Sequence, residues 1–199
     1  GAVNLIQGKN FVAGPHLNIY NEAALATYAR YGMKRWAPPL EATRTLVETL
    51  HRSKPTEVET EVFVYGKIPL AFSARCFTAR HYDLNKDDCQ FKCLDHAEGL
   101  TLKTREGQDF LCINGIQTMS AQSYNLLHEI PEMLNMGIDI IRISPQKDHI
   151  NEIISAFDAR VLSFYTPEDR KRGHIVTKDR RGQTSKFPLL SMAIGVVTN

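Results

Sequence analysis

With 199 residues, 43% of them hydrophobic and 23% charged, the chain carries enough apolar material for one sizeable core and falls in the globular class. A formal net charge of +2 is too slight to announce a nucleic-acid partner, and no apolar run approaches the roughly 20 residues that a membrane helix needs. A soluble, cytoplasmic protein with no membrane span is the expectation.

The chain opens on Gly1-Ala-Val-Asn-Leu-Ile-Gln-Gly8, without Met, basic leader or long apolar segment, so neither a signal nor a transit peptide is expected there and the stretch reads like an opening in mid-domain. Phe11 to Pro15 is a short apolar run stopped by Gly and Pro, a buried strand. Asn21 caps a helix with Ala23, Ala24, Leu25, Tyr28 and Ala29 on its apolar side and Gly32 as its stop. Lys34 to Ala37 reads as a strand closed by Pro38 and Pro39. Glu41 to Arg52 repeats Leu46, Val47 and Leu50 at helical spacing. Val58 to Tyr65 alternates as a strand with one wet face carrying Glu59 and Glu61, closed by Gly66. Leu100 to Lys103 and Asp109 to Asn114 form a hairpin, Tyr124 to Leu134 a helix interrupted by Pro131, Ile138 to Ile143 an apolar strand, and His149 to Ala159 a further helix.

Strand and helix thus alternate at least four times, the pattern of a parallel sheet with covering helices. No Gly-x-Gly-x-x-Gly and no Gly-x-x-x-x-Gly-Lys occurs, so a nucleotide-binding open sheet gains no support and a barrel is the better fit. A full eight-unit barrel takes about 250 residues. The expected fold is therefore α/β: a partial (β/α) barrel-like domain over residues 1–165 with a cysteine-bearing insertion and a small hairpin. A divergent basic and apolar tail follows over residues 166–199 and is expected to be flexible. Its basic run from Arg170 to Lys186 reads as a solvated segment rather than an RNA-binding arm.

The chemistry is concentrated between Phe72 and Asp95, where Cys76, Cys89 and Cys93 place three of the four cysteines inside eighteen residues. In a reducing compartment such crowding argues for a metal or cluster rather than a disulfide framework, because thiolates are ligands for soft metals. Arg75, Arg80, Lys86 and Lys92 surround them and favour the thiolate form. Cys89 and Cys93 share a face if their segment is helical. Zinc would call on His81 or His96 to complete a tetrahedral set, whereas the irregular spacing favours iron and sulfide. Cys112, in the apolar run Phe110 to Ile113, is expected to pack rather than to ligate, and is the one substitute available as a fourth ligand.

Other candidates carry weaker signals. Arg142 follows an apolar strand and serves either as an anion contact at a barrel mouth or as a surface ion pair. Glu41, Glu59 and Glu61 fit a general base, and His16 a ligand or substrate contact, although most such residues are surface charges or are satisfied by neighbours. No nucleophile is recognisable, and Cys76 lacks a local His and Asn set for cysteine-protease chemistry.

Several separated motifs carry a resemblance. Leu70-Ala-Phe-Ser-Ala-Arg-Cys76-Phe-Thr-Ala-Arg80, Cys89-x-x-x-Cys93, Asn114-Gly-Ile-Gln-Thr-Met-Ser120, Arg142-Ile-Ser-Pro-Gln146, Gly14-Pro-His-Leu-Asn18-x-Tyr-Asn21 and Arg35-Trp36-x-x-Pro39-x-Glu41 together resemble the UbiV family, a branch of the collagenase-like peptidase superfamily of unknown catalytic type. The resemblance covers about residues 1 to 160. It implies a 4Fe-4S cluster held by Cys76, Cys89 and Cys93. It also implies a heterodimer with a UbiU-like paralogue, and a part in oxygen-independent hydroxylation of a quinone precursor with prephenate as oxygen donor. It does not imply proteolysis. The fourth ligand of that family comes from an amino-terminal segment without counterpart here, so the chain is expected to be a shortened form of a longer protein. The family's closing Asn-Gly-Tyr-Trp-like motif is likewise replaced, by Thr177 to Asn199.

Overall fold

The computed structural model describes residues 2–6, 8–85 and 87–164 and the strands at 174–178, 184–188 and 191–194, with backbone alone for residues 2–3 and for those last three strands. The chain forms two compact units. The first is built on residues up to Val64, on Leu126–Ile143 and on the helix and strands after Ile154; the second, on Tyr65–Asn125 and residues 144–153.

After a short helix α1 (Ala2–Leu5), the first unit starts with β1 (Phe11–Ala13), α2 (Glu22–Arg30), β2 (Met33–Trp36) and α3 (Arg44–Ser53). Asn21 caps α2, its Oδ1 accepting from the Ala24 N–H at 2.8 Å, as its side chain predicts. The second helix begins later than Glu41, because Thr43 is its cap and accepts from the Leu46 N–H at 3.3 Å. β1 pairs with β2 in parallel, and β2 with the start of β3 (Glu59–Phe72).

Two shorter strands extend the ladder. β7 (Ile140–Ile143) pairs with β3, and β10 (Ser191–Ile194) runs parallel to β7. Neighbours therefore follow chain order, as in a parallel barrel. Among the described residues β1 and β10 do not pair, so the expected barrel closure is not seen: the architecture is mixed α/β with a mostly open sheet. Eight strands close such a barrel, and this ladder has fewer.

One face of the ladder is apolar. Ala13, Ile19, Leu25, Met33, Trp36, Leu50 and Val58 form one buried cluster, with Leu46 of α3 and Ala24, Tyr28 and Ala29 of α2 packed against it. Further along the chain Ile130, Met133, Leu134, Ile141, Ile143, Phe157 and Val161 are buried as well. Burial of each such side chain is worth about 2 kcal/mol. The other face is different. Arg35, Glu59, Glu61 and Arg142 lie there together, and Val12, in register with Arg35, is 50% exposed. The wet face expected for β3 is thus charged, yet Glu61 is only 1% exposed because two arginines cover it.

In the second unit β3 runs on instead of ending at Gly66. Its later part pairs antiparallel with β6 (Gln117–Asn125), from Tyr65 opposite Asn125 to Phe72 opposite Gln117. Pro69 cannot donate to a ladder, and the register shifts on either side of it, the kind of irregularity at which a strand tolerates proline. The expected hairpin is present as β4 (Leu100–Lys103) and β5 (Asp109–Asn114), and β5 pairs with β6.

Tyr124 and Asn125 therefore belong to a strand, not to a helix. The helix α5 (Ile130–Met136) starts later and takes Pro131 in its first turn, where the missing N–H costs nothing. The remaining elements are α4 (Phe77–His81) in the second unit, α6 (Ile150–Leu162) after β7, and an antiparallel pair, β8 (His174–Lys178) and β9 (Thr184–Pro188). The rest of residues 166–199, and every side chain of the expected basic run, lie outside the described residues.

Candidate functional site

The loop carrying Cys76 is fixed by the turn between β5 and β6. Ser73 N–H donates to Ile116 O and Phe77 N–H to Gly115 O, both at 2.8 Å, and Gly115 N–H donates to Thr78 Oγ1 at 3.2 Å. Three bonds thus dock the start of α4 on the Asn114-Gly115-Ile116 turn, and Thr78 is 2% exposed. Cys76 itself precedes α4, and its Sγ accepts from the Ala79 N–H at 3.4 Å. Hydrogen bonds from backbone N–H groups to sulfur are one of the ways a protein tunes a cluster.

Cys89 and Cys93 come from a different construction. Gln90 and Phe91 between them both adopt left-handed backbone, φ 51° and 48°, and a short 3-10 turn follows at Lys92–Asp95. The segment is therefore not α-helical, and the shared helical face expected for the two thiols does not arise. Two successive non-glycine residues in that region cost about 1–2 kcal/mol each, an expense usually retained at functional loops.

This turn packs against α4, and Tyr82, just after α4, is hydrogen-bonded through its hydroxyl to His96 Nε2 with the rings stacked at 5.8 Å. His81 meets the same tyrosine edge-on. The three thiols consequently lie on adjoining segments, each half-buried and none in a disulfide. Among the described residues no three His, Cys, Asp or Glu side chains converge closely enough to hold a single ion. In kind the donors fit three corners of an iron-sulfur cluster; in place they are neighbours that have not converged.

Cys112 is not among them. It is fully buried, its thiol donates to Glu98 O at 2.8 Å, and the Lys67 ammonium lies 3.5 Å from its sulfur. Lys67 also donates to Glu98 O at 2.8 Å, and the Glu98 carboxylate accepts from the Lys147 N–H at 2.8 Å. Together these contacts pin the His96–Gly99 turn, directly after the segment that carries Cys93. Glu98, Lys67, Thr78 and Tyr82 were not visible as participants in the sequence, since their partners are 14 to 49 residues away.

The other candidates separate by partner. Glu41 is hydrogen-bonded to Tyr20; this bond, helped by a smaller contribution from His16, lowers the Glu41 pKa, and the same bond raises that of Tyr20. A carboxyl held low is a poor general base. Glu59 accepts from Arg35 at 2.9 Å. Glu61 accepts from Arg35 at 3.0 Å through one oxygen and from Arg142 Nε through the other. Its carboxylate serves to hold two guanidiniums, and Arg142 makes an ion pair with a buried partner rather than a surface one.

A parallel α/β ladder with one charged face, followed in sequence by an antiparallel unit that carries three free thiols on adjoining segments, defines a mixed α/β protein with a mostly open sheet. Peptidase family U32 is the family whose model matches, over residues 4–175, and the chain belongs to it. The match agrees with the resemblance to collagenase-like peptidases. Two curated relatives are similar. The tRNA hydroxylation protein P1 of Bacillus subtilis (strain 168) is 27% identical over 130 residues, covering 60% of this chain and 28% of that protein. The Collagenase of Porphyromonas gingivalis (strain ATCC BAA-308 / W83) is 27% identical over 138 residues, covering 64% of this chain and 33% of that protein. The chain spans a third or less of the length of these relatives. No solved structure matches it. Among the described residues no helix is long and apolar enough to cross a membrane.

Proposed function

We propose that this chain is the cluster-bearing part of an oxygen-independent hydroxylation system of the UbiV type, in which Cys76, Cys89 and Cys93 hold three irons of a 4Fe-4S cluster. The observation that carries the reading is the packing of α4, which Cys76 precedes, against the 3-10 turn that carries Cys93. A relative named for tRNA hydroxylation supports the hydroxylation reading. The fourth ligand is supplied from outside the described residues, since Cys112 is committed to Glu98. When bound, the cluster supplies one-electron chemistry. The chain's own part is to orient the thiolates and to flank them with Phe91 and Leu94, 71% and 77% exposed, as apolar surface for a UbiU-like partner.

Within this reading the substrate is a quinone precursor and prephenate the oxygen donor. A second reading, hydroxylation of a tRNA base, is favoured by the name of the Bacillus relative. Anaerobic co-purification with a UbiU-like paralogue, followed by iron and sulfide assay and a visible spectrum, tests the cluster: iron and acid-labile sulfide lost on Cys89→Ser are expected, and a colourless zinc protein would refute it. Supplying the complex with a quinone precursor or with unmodified tRNA then separates the two substrates.

A further inference from the structure

A parallel sheet normally covers both faces with apolar residues. Here the face opposite the helices carries Arg35, Glu59, Glu61 and Arg142, and the charges are distributed unevenly. Arg35 is met twice, by Glu59 at 2.9 Å and by Glu61 at 3.0 Å. Glu61, 1% exposed, divides its single negative charge between Arg35 and Arg142. Arg142 thus has a half share of one carboxylate, which takes its Nε.

A guanidinium offers five donors, so among the described residues the Nη groups of Arg142 remain for a ligand, and its side chain keeps 28% of its surface open. A buried carboxylate that locks an arginine through Nε leaves the fork pre-organised, which lowers the entropy lost when an anion binds. By strand alternation Phe63 follows Glu59 and Glu61 on this face. Phe63, two residues along β3 from the carboxylate that holds Arg142, sets an aromatic residue on the same face, which suits an organic acid with an apolar body better than a strongly hydrated inorganic anion.

We propose that Arg142, held by Glu61, anchors the carboxylate of a small organic acid with an aromatic or aliphatic body on this face of the sheet. The inference stands on the parallel ladder alone and does not depend on the cluster or on the hydroxylation reading.

Benzoate is the probe, benzamide its neutral isostere and inorganic phosphate the control for an unselective positive spot, each titrated against the full chain by ligand-observed NMR and calorimetry. Benzoate is expected to bind at least tenfold more tightly than either benzamide or phosphate, and Arg142→Gln to weaken it at least tenfold. Benzamide or phosphate binding as well as benzoate, or Arg142→Gln leaving benzoate affinity unchanged, would overturn the assignment. Should Arg142→Gln fail to fold, Arg142→Lys decides: it keeps a positive charge beside Glu61 without the fork, so a clear loss of benzoate affinity supports the proposal and full retention refutes it.

Discussion

Glu61 on β3 and Arg142 on β7 are joined by an ion pair in which the carboxylate is 1% exposed and the guanidinium 28%. The pair crosses between two neighbouring strands of the ladder, and it survives burial only because Arg35 supplies a second cation. Removing the carboxylate strands two guanidiniums, though each keeps access to water. Glu61→Ala is therefore expected to cost about 3 kcal/mol, the lower end for breaking a buried pair. Urea unfolding measures it, and a loss no larger than that of Glu59→Ala would show that the pair has no special structural weight.

On the opposite face of the same strand, His51 Nδ1 lies 2.9 Å from Thr60 Oγ1, Thr60 N–H donates to Asp139 at 2.8 Å, and Lys54 sits 3.5 Å from that carboxylate. Burial, then the charge of Lys54, lowers the His51 pKa; Asp139 opposes this and Arg52 adds to it. A histidine depressed in the folded state binds its proton more readily when unfolded. Its contribution is complete above the unfolded pKa of about 6.5 and is lost as pH falls from there through the lower folded value. Unfolding midpoints at pH 7.5, 6.5 and 5.5 should fall in the wild type and fall less in His51→Gln; parallel slopes would remove His51 from the account.

The alternation of apolar runs, the Asn21 cap and the β4–β5 hairpin were legible because each is written in neighbouring residues. What was hidden depended on contacts across the chain. Pro69 and Gly66 read as the end of a strand, yet β3 passes both, since pairing with β6 satisfies the backbone around the irregularities that Pro69 imposes. Tyr124 and Asn125 look like helix because apolar residues follow, but their partners are Gly66 and Tyr65, and no local pattern shows that. The cysteines were found by their crowding, whereas the αL backbone at Gln90 and Phe91, which denies Cys89 and Cys93 a helical face, has no marker in two residues that seldom adopt it. Glu61 looked solvated because alternation assigns a face without revealing what covers it.

Gly99 and Gly107 form a controlled comparison, since both hold φ near +80°, at 81° and 83°. A Cβ at Gly107 would meet nothing within 4 Å, whereas at Gly99 it would lie 2.6 Å from Cys112 Sγ and 2.8 Å from Ile113 O. Gly107→Ala is expected to cost only the left-handed penalty of about 1 kcal/mol. Gly99→Ala should cost about 1–2 kcal/mol more, because one of the crowding atoms is backbone and the other a buried sulfur. Thermal melts of the two variants measure the difference, and equal losses would show that the His96–Gly99 turn is not held tightly over Cys112.

The same turn predicts an order of thiol reactivity. Cys76, Cys89 and Cys93 are half-buried, while Cys112 is fully buried with its thiol bonded to Glu98 O and Lys67 beside it. Alkylation needs an exposed sulfur, so Cys112 reacts only when its strand opens, and the reaction follows the rare open state rather than the folded one. With iodoacetamide under native conditions, mass spectrometry should find Cys112 labelled at least about tenfold more slowly than the other three. Cys112→Ser, whose hydroxyl still donates to Glu98 O, should leave the labelling of Cys76, Cys89 and Cys93 unchanged, whereas Cys112→Ala removes that donor and should speed labelling of Cys93 by loosening the turn that follows it. Labelling of Cys112 at the rate of Cys89 would mean that its burial is not maintained in solution, and would return it to contention as a ligand.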